Sequence, residues 1–447
     1  MERSQERDGG EGVAGREPDG AGLRLRREIG LWSAVSLIAG CMIGSGIFMS
    51  PQGVLVYVGS PGASLVVWAV CGLLAMMGAL CYAELGALVP KSGGEYAYIL
   101  QIFGSLPAFL VIYTFVLLVR PAAIAAVSLS FAEYAVAPFY PGCSSMPQAV
   151  LKAVAAICIL LLTLVNCWSS RLATMLMNQA GRIGMAFYQG LWSFDGWNNV
   201  NYVLEELKNP KQNLVWALMI AIPLVTSLYL LVNISYLLVL SPNELLSSDA
   251  MAVSWGNQVL GDWAWLVPLA VTLSTLGSTN GTFFGGSRVC YVAAREGHMP
   301  QLLSMVHVHR LTPTPALMFT AAVALVLVIP GNFSTIVNFL SFLGWITYGT
   351  TISCLLYLRM KKKNLPRPYK VPTVIPVIML LASLYLVLAP IIDHPQIEFL
   401  YIFLFLLSGI PVYFLLVHFQ CQPKWLQMAT MYLQLLLEVA PAIKNVD

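Results

Sequence analysis

Long apolar stretches separated by short polar ones dominate this chain. A helix that crosses a membrane needs about 20 largely apolar residues, and eleven stretches meet that criterion. The predicted spans are residues 31–56, 62–89, 105–134, 148–168, 183–203, 214–240, 263–290, 314–330, 333–357, 373–391 and 397–418. The pattern therefore predicts an all-α, polytopic membrane protein.

Composition agrees with this prediction. The chain is 58% apolar and 10% charged, with a mean hydropathy of +0.75, whereas soluble domains are about 25% charged. A soluble enzyme, a coiled coil and a disordered scaffold are excluded. The net charge of +3 includes no clustered basic face of the kind that binds nucleic acid. No phosphate-binding loop, no nucleophile motif and no metal-ligand spacing of histidines is present, so we expect no enzyme activity, no cofactor and no metal.

The charges of the loops predict the topology. Cytoplasmic loops carry the excess of Lys and Arg, and the stretches 57–61, 135–147, 241–262, 331–332 and 392–396 contain neither residue. This alternation predicts a disordered cytosolic tail over residues 1–28, a transmembrane domain over 29–420 and a cytosolic tail over 421–447. Both termini are thus predicted to be cytosolic.

One part of the chain breaks the alternation. Arg171 and Arg182 both indicate a cytoplasmic stretch, and so do Lys208 and Lys211, yet only the apolar segment 183–203 lies between the two. One crossing cannot begin and end on the same side. Either this segment is re-entrant, or a helix is missing between about residues 170 and 183; we favour the missing helix.

Two Gly-interrupted segments are candidates for a solute site. Secondary transporters bind solutes where helices break near the midplane. In the first span, Gly44 and Gly46 flank Ser45 and disfavour a continuous helix, and amides freed at the start of a half-helix suit a carboxylate. The alternative role for these glycines is close helix packing.

The second segment contains Asp195 beside Gly196, in an aromatic stretch that begins at Trp192. A carboxylate in mid-bilayer costs roughly 2.5–3.5 kcal/mol, which makes it a functional candidate. The alternative is a structural ion pair with Arg120 of the third span. Together the two segments favour a small zwitterionic solute. Glu84, by contrast, lies near a span end and is predicted to be interfacial.

Cys143 lies in a predicted extracellular loop. A lone cysteine in an oxidising compartment has no partner in its own chain, so an intermolecular disulfide is the favoured hypothesis. An unpaired thiol is the alternative.

Six motifs resemble the light subunits of heteromeric amino acid transporters, in the amino acid–polyamine–organocation superfamily. They are Ile43-Gly-Ser-Gly-Ile-Phe48, Ala83-Glu-Leu-Gly86, Lys91-Ser-Gly-Gly-Glu-Tyr96, Trp192-Ser-Phe-Asp-Gly-Trp-Asn198, Glu205-Glu-Leu-Lys-Asn-Pro210 and Arg295-Glu-Gly-His-Met299. Asp195 after an aromatic pair is most similar to the b(0,+)-type members, which exchange cationic and neutral amino acids. Relatives that prefer aromatic amino acids remain an open alternative.

The resemblance implies a LeuT-like fold of twelve helices, ten of which form two inverted repeats. It also implies a site in which the substrate carboxylate meets the amides of Gly44, Ser45 and Gly46. The implied ligands of the ammonium group are the carbonyls of Met42, Ile43, Trp192 and Asp195. Trp192 would be the aromatic gate, Asp195 the selectivity residue and Asn198 a neighbouring polar residue of the site.

The same resemblance implies a function and a partner. The family performs sodium-independent exchange of amino acids at the plasma membrane. Cys143 would form a disulfide with a single-span, glycosylated heavy chain. No nucleic acid is implied, and the lipid bilayer is the other partner.

The chain departs from the family pattern between Arg171 and Ala186. Members of the family have about 45 further residues there, enough for the fifth helix and its loops. The resemblance therefore implies eleven spans rather than twelve. It leaves open a shortened variant that binds the heavy chain without transporting.

Overall fold

The computed structural model describes residues 29–44, 46–58, 60–139, 147–168, 193–241, 244–245, 251–329, 333–362, 367–393, 397–419 and 424–441. Helices account for most of these residues, as the apolar pattern predicts. Three of the predicted functional residues, Ser45, Cys143 and Trp192, lie outside the described residues. The multi-pass, all-α architecture is confirmed.

The helices of the first half are α1 (Leu31–Met42), α2 (Gly46–Val58), α3 (Pro61–Leu88), α4 (Glu95–Phe103), α5 (Ser105–Thr114), α6 (Arg120–Val136) and α7 (Gln148–Trp168). A π-helical turn, Phe115–Val119, joins α5 to α6, so the two form one long rod. The 3₁₀ turn Ala137–Phe139 follows α6.

The second half contains α8 (Asn199–Tyr202), α9 (Pro210–Val239), α10 (Met251–Val259), α11 (Leu266–Arg295), α12 (Thr314–Val328), α13 (Phe333–Lys361), α14 (Val374–Asp393), α15 (Ile397–Tyr413) and α16 (Lys424–Leu436). Short 3₁₀ turns lie at Leu204–Glu206, Gly261–Trp263 and Gln301–Ser304, and a π turn at Phe414–His418. Strand β1 (Met305–His307) pairs antiparallel with β2 (Val439–Pro441), with Val306 opposite Ala440.

Ten of the eleven predicted spans coincide with these helices. Five helical stretches of the described chain are long and apolar enough by themselves to cross a membrane: Leu31–Phe48, Pro61–Leu88, Ser105–Val136, Gln148–Trp168 and Pro210–Val239. The prediction of one span over 183–203 is wrong for its described part. Between residues 193 and 206 the chain forms turns, the single-turn helix α8 and a 3₁₀ turn. Gly196, with its positive φ, interrupts the helix.

The core lies where α1, α3, α9 and α11 pack together. Trp68 of α3 and Tyr229 of α9 are fully buried there, with their rings 5.6 Å apart. Large apolar side chains such as Leu161, Leu231 and Phe403 are exposed on the outer faces of their helices. Exposed apolar faces of this kind suit contact with lipid.

One end of the bundle, which we call the N-terminal side, is closed around Ile29. The amide of Ile29 donates to the carbonyl of Glu206 (3.1 Å), and the amide of Lys208 donates to the carbonyl of Ile29 (2.9 Å). Glu205 forms an ion pair of 2.8 Å with Arg295 at the end of α11. Residues 205–208 therefore lie at the same end of the bundle as the start of α1.

The end of α7 lies on this side as well. Thr312 donates its hydroxyl to the carbonyl of Cys167 (3.1 Å), and the guanidinium of Arg310 lies 4.3 Å from the ring of Trp168. Both partners belong to the segment that joins α11 to α12. Trp168 and Glu205 therefore lie at the same end of the bundle, as the loop charges indicate.

Glu84 lies near the end of α3, as predicted, and is buried in protein there. Its side chain is fully buried and forms ion pairs with Arg359 and with Arg367. It also accepts a hydrogen bond of 2.9 Å from the amide of Val371. A buried carboxylate needs such partners, and here they fasten α3 to the end of α13 and the loop that follows.

Candidate substrate-binding site

The first site element is the break between α1 and α2. Helix α1 ends at Met42, Ile43 leaves the helical conformation, and α2 begins at Gly46. The amide of Gly44 donates to the carbonyl of Met42 across a tight turn (3.0 Å). The interruption predicted from the glycines is confirmed.

The packing role proposed for these glycines is also present. A Cβ atom on Gly44 would lie 2.3 Å from Oγ of Ser278 in α11, closer than any non-bonded contact allows. Gly44 thus lets α11 approach the backbone of the break. Helix packing and helix interruption require the same residue here.

The second site element comprises residues 193–198. Gly196 has a φ of +101°, a left-handed conformation that favours glycine. A Cβ atom on it would lie 2.6 Å from Cβ of Cys41. The two interrupted segments are therefore in direct contact.

Tyr229 of α9 joins the two breaks. Its hydroxyl lies 2.7 Å from the carbonyl oxygen of Met42 and 2.9 Å from that of Ser193. In addition, the hydroxyl of Ser274 donates to the carbonyl of Ile43 (3.1 Å). The carbonyl of Ile43 thus retains one lone pair for a ligand, whereas that of Met42 also accepts from the amide of Gly44. Gly46, at the start of α2, presents an amide without an intrahelical acceptor.

Two adjoining cavities lie beside these backbone groups. The smaller, of about 340 Å³, is lined by Met42, Gly44, Gly46, Asp195 and Ser278 among others. The larger, of about 750 Å³ including its open part, is lined by Asp195, Arg120, Glu95, Trp345 and Tyr348 among others. Asp195 lines both cavities, so its side chain lies where they meet.

The direct partner of Asp195 is Tyr348 of α13, which donates its hydroxyl to Oδ1 (3.0 Å). Arg120, the alternative partner, donates instead to Asn199 Oδ1 (3.1 Å). The Arg120 guanidinium also lies 4.7 Å from the ring centre of Tyr202, and its Nε and Nη1 atoms have no hydrogen-bond partner among the described residues. The Arg120 side chain is a buried cation on the wall of the larger cavity.

Asn198 lies one layer behind the cavity wall. Its amide nitrogen donates to Glu95 Oε1 and to the hydroxyl of Tyr202 (2.8 Å), and the Tyr202 hydroxyl in turn lies 3.2 Å from Glu95 Oε1. Glu95 and Tyr202 line the larger cavity, so Asn198 fixes two residues of its wall.

Sequence reasoning missed Glu95, Arg120, Tyr229 and Tyr348 as site residues. A charge inside a span could have indicated Arg120. Glu95 lies in a motif that we used only for the resemblance. No local signal distinguishes either tyrosine, because each reaches the site from a distant helix. Among the described residues no group of three or more His, Cys, Asp or Glu side chains could hold a metal ion.

Comparison of the sequence with known proteins identifies a family. The sequence profile described as amino acid permease matches residues 29–185 and 178–416. The chain is 45% identical to the human b(0,+)-type amino acid transporter 1 over 93% of this chain and 94% of that protein, and 45% identical to its mouse counterpart over 94% of each. It is 41% identical to the mouse large neutral amino acids transporter small subunit 2, over 91% of this chain and 84% of that protein.

The human alignment also bears on the break in topology. It extends over 459 positions, more than the 447 residues of this chain, of which it covers 93%. The relative therefore has positions that this chain lacks. The family match likewise falls into two pieces that overlap at residues 178–185, next to the place where the loop charges break their alternation. The profile covers most of the chain and the relatives align over nearly all of it, so this multi-pass membrane protein belongs to the amino acid permease family.

Proposed function

We propose that the chain is the light subunit of a sodium-independent amino acid exchanger. Its substrates are neutral L-amino acids, with cationic ones as a second class. It acts in the plasma membrane with both termini in the cytosol, linked to a heavy-chain glycoprotein. It uses no cofactor and no metal.

The observation that carries the proposal is the contact between the two interrupted segments at Cys41 and Gly196. This contact puts the half-helix N-terminus at Gly46 and the carbonyl end of α1 at Met42 around one cavity. Positive amide ends attract a carboxylate, and carbonyl oxygens accept from an ammonium group. Such a pair of groups recognises the backbone of any amino acid and leaves its side chain to the larger cavity.

The charges of the larger cavity support the substrate class. Two carboxyl groups, of Asp195 and Glu95, and one guanidinium, of Arg120, line its wall. With both acids ionised, carboxylates outnumber cations by one. An anionic side chain is disfavoured there, a neutral one is tolerated, and a cationic one gains a counter-charge.

Uptake into proteoliposomes tests the proposal. The chain, co-expressed with its heavy chain, is reconstituted in sodium-free buffer, and uptake of labelled leucine and arginine is measured with and without an internal amino acid. We expect uptake only into preloaded vesicles, and loss of uptake in the Gly46→Leu variant. Uptake that needs sodium, or that proceeds into empty vesicles, would contradict exchange.

The link to the heavy chain is assigned to Cys143. Non-reducing gels of cells that express both chains should contain a high-mass band that collapses on reduction and is absent for Cys143→Ser. A Cys143→Ala protein that keeps the band would remove this assignment. Cys167, a free cysteine at the opposite end of α7, supplies the matched control as Cys167→Ser.

Two alternatives give different outcomes in the same assay. A transporter that prefers aromatic substrates would take up tyrosine and phenylalanine in preference to leucine and arginine. A transport-inactive variant would form the high-mass band yet take up none of the four. The positions that this chain lacks relative to the human protein favour keeping the second alternative in the test.

A further inference from the structure

Helix α16 carries an apolar stripe that the described part of the chain leaves uncovered. Five of its side chains are between 62% and 75% exposed: Met428, Met431, Tyr432, Leu435 and Leu436. Their spacing of three and four residues puts them on one face of the helix. The polar residues Thr430 and Gln434 lie on another face and are partly buried. The helix thus turns polar residues toward the protein and apolar residues away from it.

Both ends of α16 are held near the membrane boundary. It begins five residues after Phe419, at the end of the last span, so its start lies within about 18 Å of that residue. Its far end leads into β2, which pairs with β1 between α11 and α12. The amide of Val308 also donates to the carbonyl of Glu438 (3.1 Å).

This anchorage assigns α16 to the N-terminal side of the bundle. Strand β1 follows closely after Arg295, whose partner Glu205 adjoins the pairing of Ile29 with Leu207. The last span points to the same end, because Tyr413 packs against Phe109 (5.3 Å) and Phe109 against His298 (5.9 Å). The helix is therefore confined to the membrane surface on that side.

We infer that α16 is an interfacial helix that binds the phospholipid of the adjacent leaflet through its apolar stripe. Continuity with the lipid-facing surface supports this occupant, since Leu415 and Phe419, which directly precede the helix, are themselves exposed apolar residues. An amphipathic helix in this position lies in the headgroup region with its apolar face toward the acyl chains.

Nearby charge favours anionic lipid in the same leaflet. The exposed residues His309 and Arg310 lie in the segment that follows β1, and Lys361 ends α13 and is followed by Lys362. The loop charges assign this side to the cytosol, where the leaflet carries anionic lipid that attracts basic residues.

Photo-crosslinking in lipid nanodiscs tests the inference. The photoreactive residue p-benzoylphenylalanine is installed at Met431 or Leu435 on the stripe, or at Gln434 as the matched control, in the full chain. After irradiation in nanodiscs of phosphatidylcholine and phosphatidylserine, mass spectrometry counts phospholipid adducts on the peptide that contains α16. We expect at least fivefold more adducts at Met431 and Leu435 than at Gln434.

Two results would overturn the inference. One is an equal or negligible yield of phospholipid adducts at all three positions. The other is a discrete protein adduct at Leu435 in intact cells together with no lipid adduct in nanodiscs, which would assign the stripe to a protein partner. An unchanged gel-filtration profile establishes that each variant is folded, at exposed Met431 and Leu435 and at partly buried Gln434 alike.

Discussion

The hydroxyl of Tyr348 donates to Oδ1 of Asp195 across 3.0 Å, and this bond joins α13 to the second interrupted segment. Both residues line the larger cavity. The carboxylate at the meeting point of the two cavities thus has one oxygen engaged by the protein. Its availability to a bound solute depends on a tyrosine more than 150 residues away in the chain.

Removing the carboxylate of Asp195 and removing the hydroxyl of Tyr348 should shift substrate preference in opposite directions. Asp195→Asn removes the counter-charge and should raise the KM for arginine relative to leucine by about tenfold, equivalent to about 1.4 kcal/mol. Tyr348→Phe releases the carboxylate oxygen and should lower the same ratio several-fold, because one hydrogen bond contributes about 1 kcal/mol. Competitive uptake of the two labelled amino acids measures the ratio. Shifts of equal sign in both variants would argue against a role for Asp195 in selectivity.

Gly44 should tolerate no side chain unless Ser278 is shortened. Because a Cβ atom would lie 2.3 Å from Ser278 Oγ, Gly44→Ala should cost about 1–3 kcal/mol of stability through overpacking. The double variant Gly44→Ala/Ser278→Gly should recover part of that loss. Thermal unfolding of the purified protein in detergent measures both, and Gly30→Ala, at a glycine with nothing within 4 Å, serves as the control. If the double variant recovers no stability, the loss does not come from a clash with Ser278.

Breaking the buried ion pair of Glu206 with Arg288 should lower the free energy of unfolding substantially, although the pair lies near a loop. The two side chains are 2.9 Å apart and nearly inaccessible to solvent. Glu206→Gln alone should destabilise by about 3–5 kcal/mol, because it leaves the Arg288 charge buried without its partner. Replacing both, as Glu206→Leu/Arg288→Met, should cost less than either single change.

Thermal unfolding also compares these variants, with Lys208→Gln at an exposed neighbouring position as the control. If the double variant is less stable than both single variants, the pair stabilises the closed N-terminal side by direct attraction, contrary to this expectation.

His298 should make stability fall in acid. Burial lowers its pKa from the usual value of about 6.5, and its ring nitrogens lie 2.8 Å from the hydroxyls of Tyr96 and Ser105. Since the pKa is lower in the folded state, the stabilising contribution is complete above about pH 6.5 and is lost as the pH falls through the lower folded value.

The measurement is the difference in melting temperature between pH 7.5 and pH 5.5. It should be larger for the unsubstituted protein than for His298→Gln, while His309→Gln, at an exposed site, should behave as the unsubstituted protein does. An identical pH difference in all three proteins would exclude His298 as the source.

The sequence predicted those parts of the site that depend on local backbone chemistry. Glycines at 44 and 196 indicate the two breaks, because only a residue without Cβ suits a positive φ or a contact below 3 Å. Asp195 stands out because a carboxylate is rare in an apolar segment. The topology conflict near residue 180 was also visible, since Lys and Arg report the side of each loop.

The partners of these residues could not be predicted. Tyr229, Tyr348 and Glu95 reach the site through helix packing, which no local pattern encodes. The two arginine partners of Glu84 were missed for the same reason, since they lie more than 270 residues further along the chain. For Arg120 the sequence offered Asp195 as a partner, whereas the fold provides Asn199 and two aromatic rings.

The pairing of Ile29 with Leu207 is made by two main-chain hydrogen bonds. They hold the residue ahead of α1 to residues 206–208, which follow the second interrupted segment. The side chains of Ile29 and Leu207 are buried in the core, so their packing adds to these bonds. Proline removes a bond itself, because it carries no amide hydrogen. Lys208→Pro would delete one of the two donors and Ile29→Pro the other. Either change would weaken the closure of the N-terminal side without changing a charge in the solute cavities.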